Sequence, residues 1–184
     1  MVHRNVLTKY YSIVEDDWYH YWHTPTQMEI SPYKQSMVST IDFPETTDGI
    51  FASSGTGSNF YVSFEGYLHF VSSGSSSGSG SSEYSICLHS NDDSRSKMYL
   101  NGERIIETYS HPDNCVHNMF LEGLKKAKVV ILDVPRLDEL YLPSPSLELT
   151  WQNASTSGPR HFDGSEWLKV SNNMSFLENY SHLQ

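Results

Sequence analysis

Asp92 and Asp93 stand side by side in "SNDDSRSKMYLNG", between a strand-like stretch and a hairpin turn. Adjacent carboxylates repel, and neighbouring side chains on an extended strand point to opposite faces. The pair becomes useful when a hard cation gathers both, since Ca2+ takes about six to eight oxygen ligands and favours carboxylates. The competing role is a solvated turn in which each Asp accepts from backbone amides, as in an Asx-turn. A second constellation is "EDDWYHYWHTP". His20 and His23 with Asp16 or Asp17 have the residue types of a zinc site. Their spacing is not the helical His-x-x-x-His, and no cysteine accompanies them. An aromatic-rich segment of this kind packs its rings on a sheet. It can also leave Trp18, Tyr19, Tyr21 or Trp22 open as a stacking platform for a sugar or a protein partner. Catalytic motifs are missing: Gly74 to Gly78 spells Gly-x-Ser-x-Gly only inside a Ser/Gly tract and not as a strand-to-helix elbow, and there is no His-Glu-x-x-His, so the reading is of a non-enzyme.

The elements that must position these residues read as strands. "NFYVSFEGYLHFV" alternates aromatic and polar residues and is interrupted by Gly66, which predicts two segments with a bend or bulge between them. "EYSICLHS" sets Tyr84, Ile86 and Leu88 against Ser85, Cys87 and His89. "KMYLNGERIIE" is a hairpin signature, because Asn101-Gly102 accepts the positive φ angles of a two-residue turn. "AKVVILDV" reads as a buried strand, and "SLELTW" alternates Leu147, Leu149 and Trp151. Pro135, Pro143 and Pro145 exclude a regular central strand between those two. The expected fold is all-β, an antiparallel β-sandwich or partly closed β-barrel. "SSGSSSGSGSS", Ser72 to Ser82, cannot build a core; lying between two strand candidates, it reads as a long hairpin loop rather than a domain boundary.

With 184 residues the chain is expected to form one domain, its core spanning about residues 6–168 and a tail following from 169 to 184. Twelve Lys and Arg against 22 Asp and Glu give a formal net charge of −10, which argues against sequence-independent binding to nucleic acid or to an anionic membrane. No apolar run approaches the ~20 residues of a membrane span. The start "MVHRNVLTKYYS" lacks the apolar core of a secretory signal, which fits either a cytosolic protein or a chain whose leader has been removed. Cys87 and Cys115 could pair, and Asn153, Asn173 and Asn179 head three glycosylation sequons. The balance favours an extracellular or cell-surface setting, with a cytosolic or ciliary one as the alternative.

The order of these pieces carries more than any one of them. "VLTKYYS", "STIDFP", "FYVSFEGYLHF", "YSICLHSNDDSRSKMYLNGERIIE", "LEGLKKAKVVILDV" and "LELTWQ" follow one another over roughly residues 6 to 168. In this order they resemble the landmarks of the domain family named after the fourteen-kilodalton piece of anthrax protective antigen. That resemblance implies a β-sandwich or barrel found in toxins, glycosidases, flocculins and other adhesins, and cell-surface or ciliary proteins, where the domain is an accessory binding module. It also implies that in sugar-binding members the paired Asp holds Ca2+ through a cis peptide bond, the ion in turn coordinating sugar hydroxyls. A cis bond between non-proline residues costs about 3 kcal/mol, and a bound cation would offset that strain together with the repulsion. The sequence departs from the family pattern at Ser94, where many relatives have Gly, and at Asn101, often Asp. Further oxygen ligands are expected from "DVPRLDELYLPSPS", where Asp133, Asp138 and Glu139 are suitable and Asp138 is the candidate kept beside Asp92 and Asp93. Asn91, Trp18 and Trp22 are the candidate sugar contacts. Two functions follow: a Ca2+-dependent carbohydrate-binding module in adhesion or glycan recognition, or a structural module docking in a larger extracellular or ciliary assembly.

Overall fold

The computed structural model describes residues 5–13, 31–47, 50–52, 54–55, 60–70, 82–91, 94–108, 113–133, 145–154, 156–163 and 166–168. Among them every regular element is a strand: β1 (Val6–Ser12), β2 (Lys34–Val38), β3 (Asp42–Phe43), β4 (Phe60–Phe70), β5 (Ser82–Ser90), β6 (Ser94–Leu100), β7 (Glu103–Thr108), β8 (Asp113–Leu121), β9 (Gly123–Asp133), β10 (Leu147–Asn153), β11 (Arg160–His161) and β12 (Trp167–Leu168). They form two antiparallel sheets. The larger has the order β2-β1-β4-β9-β6-β7, with β12 also on β4; the smaller has the order β11-β10-β5-β8, with β3 also on β10. The expected sandwich is therefore present, and the sheets stay separate rather than closing into a barrel.

The alternation read in the sequence sets which side chains meet between the sheets. Tyr84, Ile86 and Leu88 of β5 and Leu147, Leu149 and Trp151 of β10 face Phe60, Val62, Phe64 and Leu68 of β4 and Val129 and Ile131 of β9. All are buried. Each such side chain contributes about 1.5–3 kcal/mol of burial free energy, and together they fix strand register, since a slip of one residue would turn the whole apolar set outward. The hairpin at Asn101-Gly102 is also as expected, with φ of 49° and 83°. Its Asn101 N–H donates to the Lys126 carbonyl at 2.8 Å, and the Lys126 N–H donates to Asn101 Oδ1 at 2.9 Å, which fastens the turn to β9.

Two expectations are corrected. β4 has no bend or bulge at Gly66: its pairing with β9 runs unbroken from Phe60↔Asp133 to Phe70↔Gly123. Gly66 instead marks a change of partner on the other edge, where β1 pairs with β4 as far as Glu65 and β12 takes over at Tyr67. The Trp167 ring lies against it, and a Cβ at position 66 would meet Trp167 Cε3 at 2.8 Å. The Ser/Gly tract, residues 72–81 of which lie outside the described residues, is not a hairpin loop. β4 before it belongs to the larger sheet and β5 after it to the smaller, so the strands that flank it are not hairpin partners. Four strands carried too little pattern to be expected: β2, β8 and the two-residue β11 and β12. β8 matters most, because Cys115 on it pairs directly with Cys87 on β5 and the two form a disulfide.

Candidate functional site

One end of the sandwich gathers the departures of all the segments singled out for chemistry. Across the larger sheet Ser12 pairs with Phe60, Phe60 with Asp133, and Asp133 with Ser94. Beyond Ser12 runs the segment carrying Trp18 and Trp22; beyond Asp133 runs the connection carrying Asp138; immediately before Ser94 stand Asp92 and Asp93. In the smaller sheet Ser90, just before that turn, pairs with Leu147 at the start of β10. Asp92, Asp93, Asp138, Glu139, Trp18, Trp22, His20 and His23 themselves lie outside the described residues, as do Asn173 and Asn179. The register nonetheless places the stems of the segments carrying Asp92 and Asp93, Asp138 and Glu139, and Trp18 to His23 on one rim, although they are separated by tens of residues in sequence; Asn173 and Asn179 instead follow Leu168, which pairs with Tyr67 inside β4.

Two described features hold this rim. Asn91 Oδ1 accepts from the Ser146 N–H at 3.3 Å, tying the start of the Asp-Asp turn to the end of the connection that carries Asp138. Directly beneath is a buried hydroxyl cluster. The Ser96 N–H donates to Thr108 Oγ1 at 3.0 Å. Thr108 Oγ1 lies 2.7 Å from Ser96 Oγ and 3.0 Å from Ser90 Oγ, and Ser96 Oγ donates to Ser90 Oγ at 3.2 Å. All three residues are buried, Ser96 completely, so β5, β6 and β7 are bonded together across the gap between the sheets where the turn emerges. A network this enclosed is strong when complete and costly when one member is removed. Thr108→Val keeps the shape but leaves the Ser96 amide and two hydroxyls short of a partner. It should cost about 1–3 kcal/mol, read as a lower urea midpoint with unchanged slope.

The three positions are legible in the sequence as core-facing hydroxyls; that they meet across the two sheets is not. Ser90 follows Leu88, Ser96 precedes Met98 and Thr108 follows Ile106 at the two-residue period, so three consecutive strands each carry a hydroxyl at a core-facing position. Asn153, by contrast, sits at the far end of β10 from Leu147, partly exposed in a turn closed by Thr156. A glycan there would leave the opposite rim open.

Two depressions formed by described residues lie on the outer faces of the sheets, toward that far end. One of about 450 Å³ on the smaller sheet is lined by Ser85, His117, Thr150, Gln152 and Asn153. The other, about 460 Å³, lies between Lys9, Glu65, Tyr99, Asn101, Lys126 and Lys128. There Lys9 and Lys128 share the Glu65 carboxylate at 3.4 and 3.9 Å. Burial pulls the Lys128 ammonium below the usual lysine range, with Glu65 opposing the shift. On the neighbouring strand Lys97 is 2% exposed and shifted the same way by burial, against the pull of Glu107 at 3.8 Å.

No protein-family model and no curated protein matches the chain. Solved structures do. The PA14 domain of the antifreeze protein MpAFP is similar at a TM-score of 0.60 and 9% identity, over 92% of each chain. The Epithelial Adhesin 6 A domain from Candida glabrata, solved in complex with Galβ1-3GlcNAc, is similar at a TM-score of 0.60 and 9% identity, over 95% of this chain and 91% of that one. An anti-sigma factor domain-containing protein reaches a TM-score of 0.63 at 14% identity. The chain spans about half the length of two anti-sigma factor domain-containing proteins that it matches, 47% and 50%. At these identities the likeness is one of fold, and the fold is PA14-like, in line with the resemblance carried by the ordered strand motifs.

Proposed function

We propose that the protein is a non-catalytic module that binds carbohydrate through Ca2+ held at the Asp92-Asp93 turn. The observation that carries this reading is the convergence of stems on one rim, with Asn91 bonded to Ser146 so that the acidic turn and the Asp138 connection share an anchor. The donor set suits the ion: Asp92, Asp93 and Asp138 are hard carboxylate donors, and a turn braced by Ser90, Ser96 and Thr108 has a stem rigid enough to present them. Bound there, Ca2+ would supply open coordination positions for vicinal hydroxyls. Trp18 and Trp22, whose segment leaves the same rim, are the stacking candidates for a sugar face. The similar fold of an adhesin domain solved with a disaccharide supports the ligand class. The Cys87–Cys115 disulfide and the sequon at Asn153 support work outside the cytosol, at a cell surface or beyond it.

Isothermal titration of Ca2+ into chelator-treated protein tests this. Saturable heat that Asp92→Asn/Asp93→Asn abolishes, followed by Ca2+-dependent signals on a glycan array, is the expected result. Absence of heat together with an unchanged melting temperature would turn the reading toward a structural docking module. Asn153→Gln should leave both signals unaltered, because that residue stands at the opposite end of β10.

A further inference from the structure

Asp42, Glu148 and His161 come from three strands that meet on one edge of the smaller sheet. β3 and β11 lie end to end along the same side of β10, with Asp42 opposite Glu148 and His161 opposite Thr150. Core contacts hold this register: Phe43 and Leu147, each one residue along, are paired and packed in the sandwich, and the Leu149 N–H donates to the Ile41 carbonyl at 3.0 Å. Alternation then sends Asp42 and Glu148 to the outer face together. Two carboxylates directly opposite on adjacent strands repel. Among the described residues no lysine or arginine forms an ion pair with either; His161 Nε2 lies 2.8 Å from Glu148 Oε1 and 3.8 Å from Asp42 Oδ2.

We propose that this trio is a binding site for a divalent transition metal, of which Zn2+ is the type case. One donor atom from each residue lies within 4.8 Å of the others. Zinc donors at about 2.0–2.1 Å from the ion stand about 3.3 Å apart in a tetrahedron, so small side-chain rotations bring all three into range. A metal ion would replace the repulsion between Asp42 and Glu148 with two attractive contacts. The imidazole decides the class: oxygen donors alone suit Ca2+ or Mg2+, whereas a neutral ring nitrogen beside two carboxylates suits zinc and its neighbours. Side-chain exposures of 38% for His161, 45% for Asp42 and 43% for Glu148 leave the site open to solvent. Three protein donors also leave a position for water or for an oxygen of a bound partner. The site is independent of the Ca2+ reading, since it shares none of Asp92, Asp93 or Asp138.

The test is titration of ZnCl2 into the chelator-treated full chain by calorimetry, paired with proton–nitrogen correlation spectra of the histidine rings. One saturable site, a zinc-induced shift of the His161 Nε2 resonance, and at least a tenfold loss of affinity in His161→Ala and in Glu148→Gln are expected. Glu148→Gln is nearly isosteric and relieves a like-charge pair, so it keeps the fold even where His161→Ala loosens the edge strand. His20→Ala/His23→Ala should leave the site unchanged. Zinc binding that survives both single substitutions, or no saturable binding at all, would overturn the proposal and leave His161 as a ring bonded to Glu148 beside Asp42.

Discussion

Trp167→Ala should lower stability by about 3–5 kcal/mol, the range for removing a large aromatic side chain from a closed core. Trp167 is fully buried, and its ring packs edge-to-face on Phe162 while covering Gly66. Its carbonyl also accepts from Asn5 Nδ2 at 2.6 Å, so the strand it sits on ties the end of the fold back to its beginning. The cavity left by alanine would be lined on one side by the bare backbone of Gly66, which has no side chain to collapse inward. The reciprocal substitution separates packing from other effects. Gly66→Ala alone would drive a methyl to 2.8 Å from a ring held on all sides, an overpacking cost of about 1–3 kcal/mol. In the Trp167→Ala background the same methyl enters empty space and should cost little. A double-mutant cycle by urea unfolding therefore gives a coupling above about 1 kcal/mol. Additive effects would mean that the Gly66–Trp167 contact is not what keeps position 66 free of a side chain.

Removing the disulfide comes next in size. Cys87 and Cys115 face each other across β5 and β8 and are separated by 28 residues of chain. Closing a loop of that length removes denatured-state entropy worth about 3–4 kcal/mol in the chain-entropy view, and loss of a native bridge in a small domain costs about 2–5 kcal/mol. Cys87→Ser/Cys115→Ser should lower the urea midpoint accordingly, and reductant should reproduce the effect in the parent protein without shifting the variant further. The loop enclosed by the bridge contains Asn91, the Asp-Asp turn and the hairpin at Asn101-Gly102. Reduction should therefore also weaken Ca2+ binding if that turn is the site. Equal stability of parent and variant would show that pairing of β5 with β8 rests on backbone bonds and packing alone.

The strands with a strong two-residue period, β4, β5, β9 and β10, and the β6–β7 hairpin were legible because burial on one face imposes alternation and because Asn-Gly suits a turn with positive φ. Gly66 was misread for a physical reason: glycine in a strand marks either a bulge or a close approach, and which one depends on Trp167, about a hundred residues away in sequence. β8 was missed because its central residues, "NCVHNMF", include polar positions facing solvent and Asn118 at φ 58°, beside the bulge that shifts its register against β5. β3, β11 and β12 are two residues long, too short to show any period.

The sequence by itself determined an all-β antiparallel fold, sandwich or partly closed barrel, the inward set of large apolar residues, the Asn101-Gly102 hairpin and the acidic turn as the place to look for a hard cation. These are local properties, written in alternation and in turn chemistry. The tertiary structure decided which strands share a sheet, that Cys87 meets Cys115, that Asn91 anchors on Ser146, and that Ser90, Ser96 and Thr108 close one hydroxyl network under the turn. It alone brought Asp42, Glu148 and His161 to one edge. Those meetings depend on β10 accepting β3 and β11 end to end on one side and β5 on the other. Backbone hydrogen bonding is the same for every residue, so the choice of partner rests on how the whole core packs rather than on any stretch of chain.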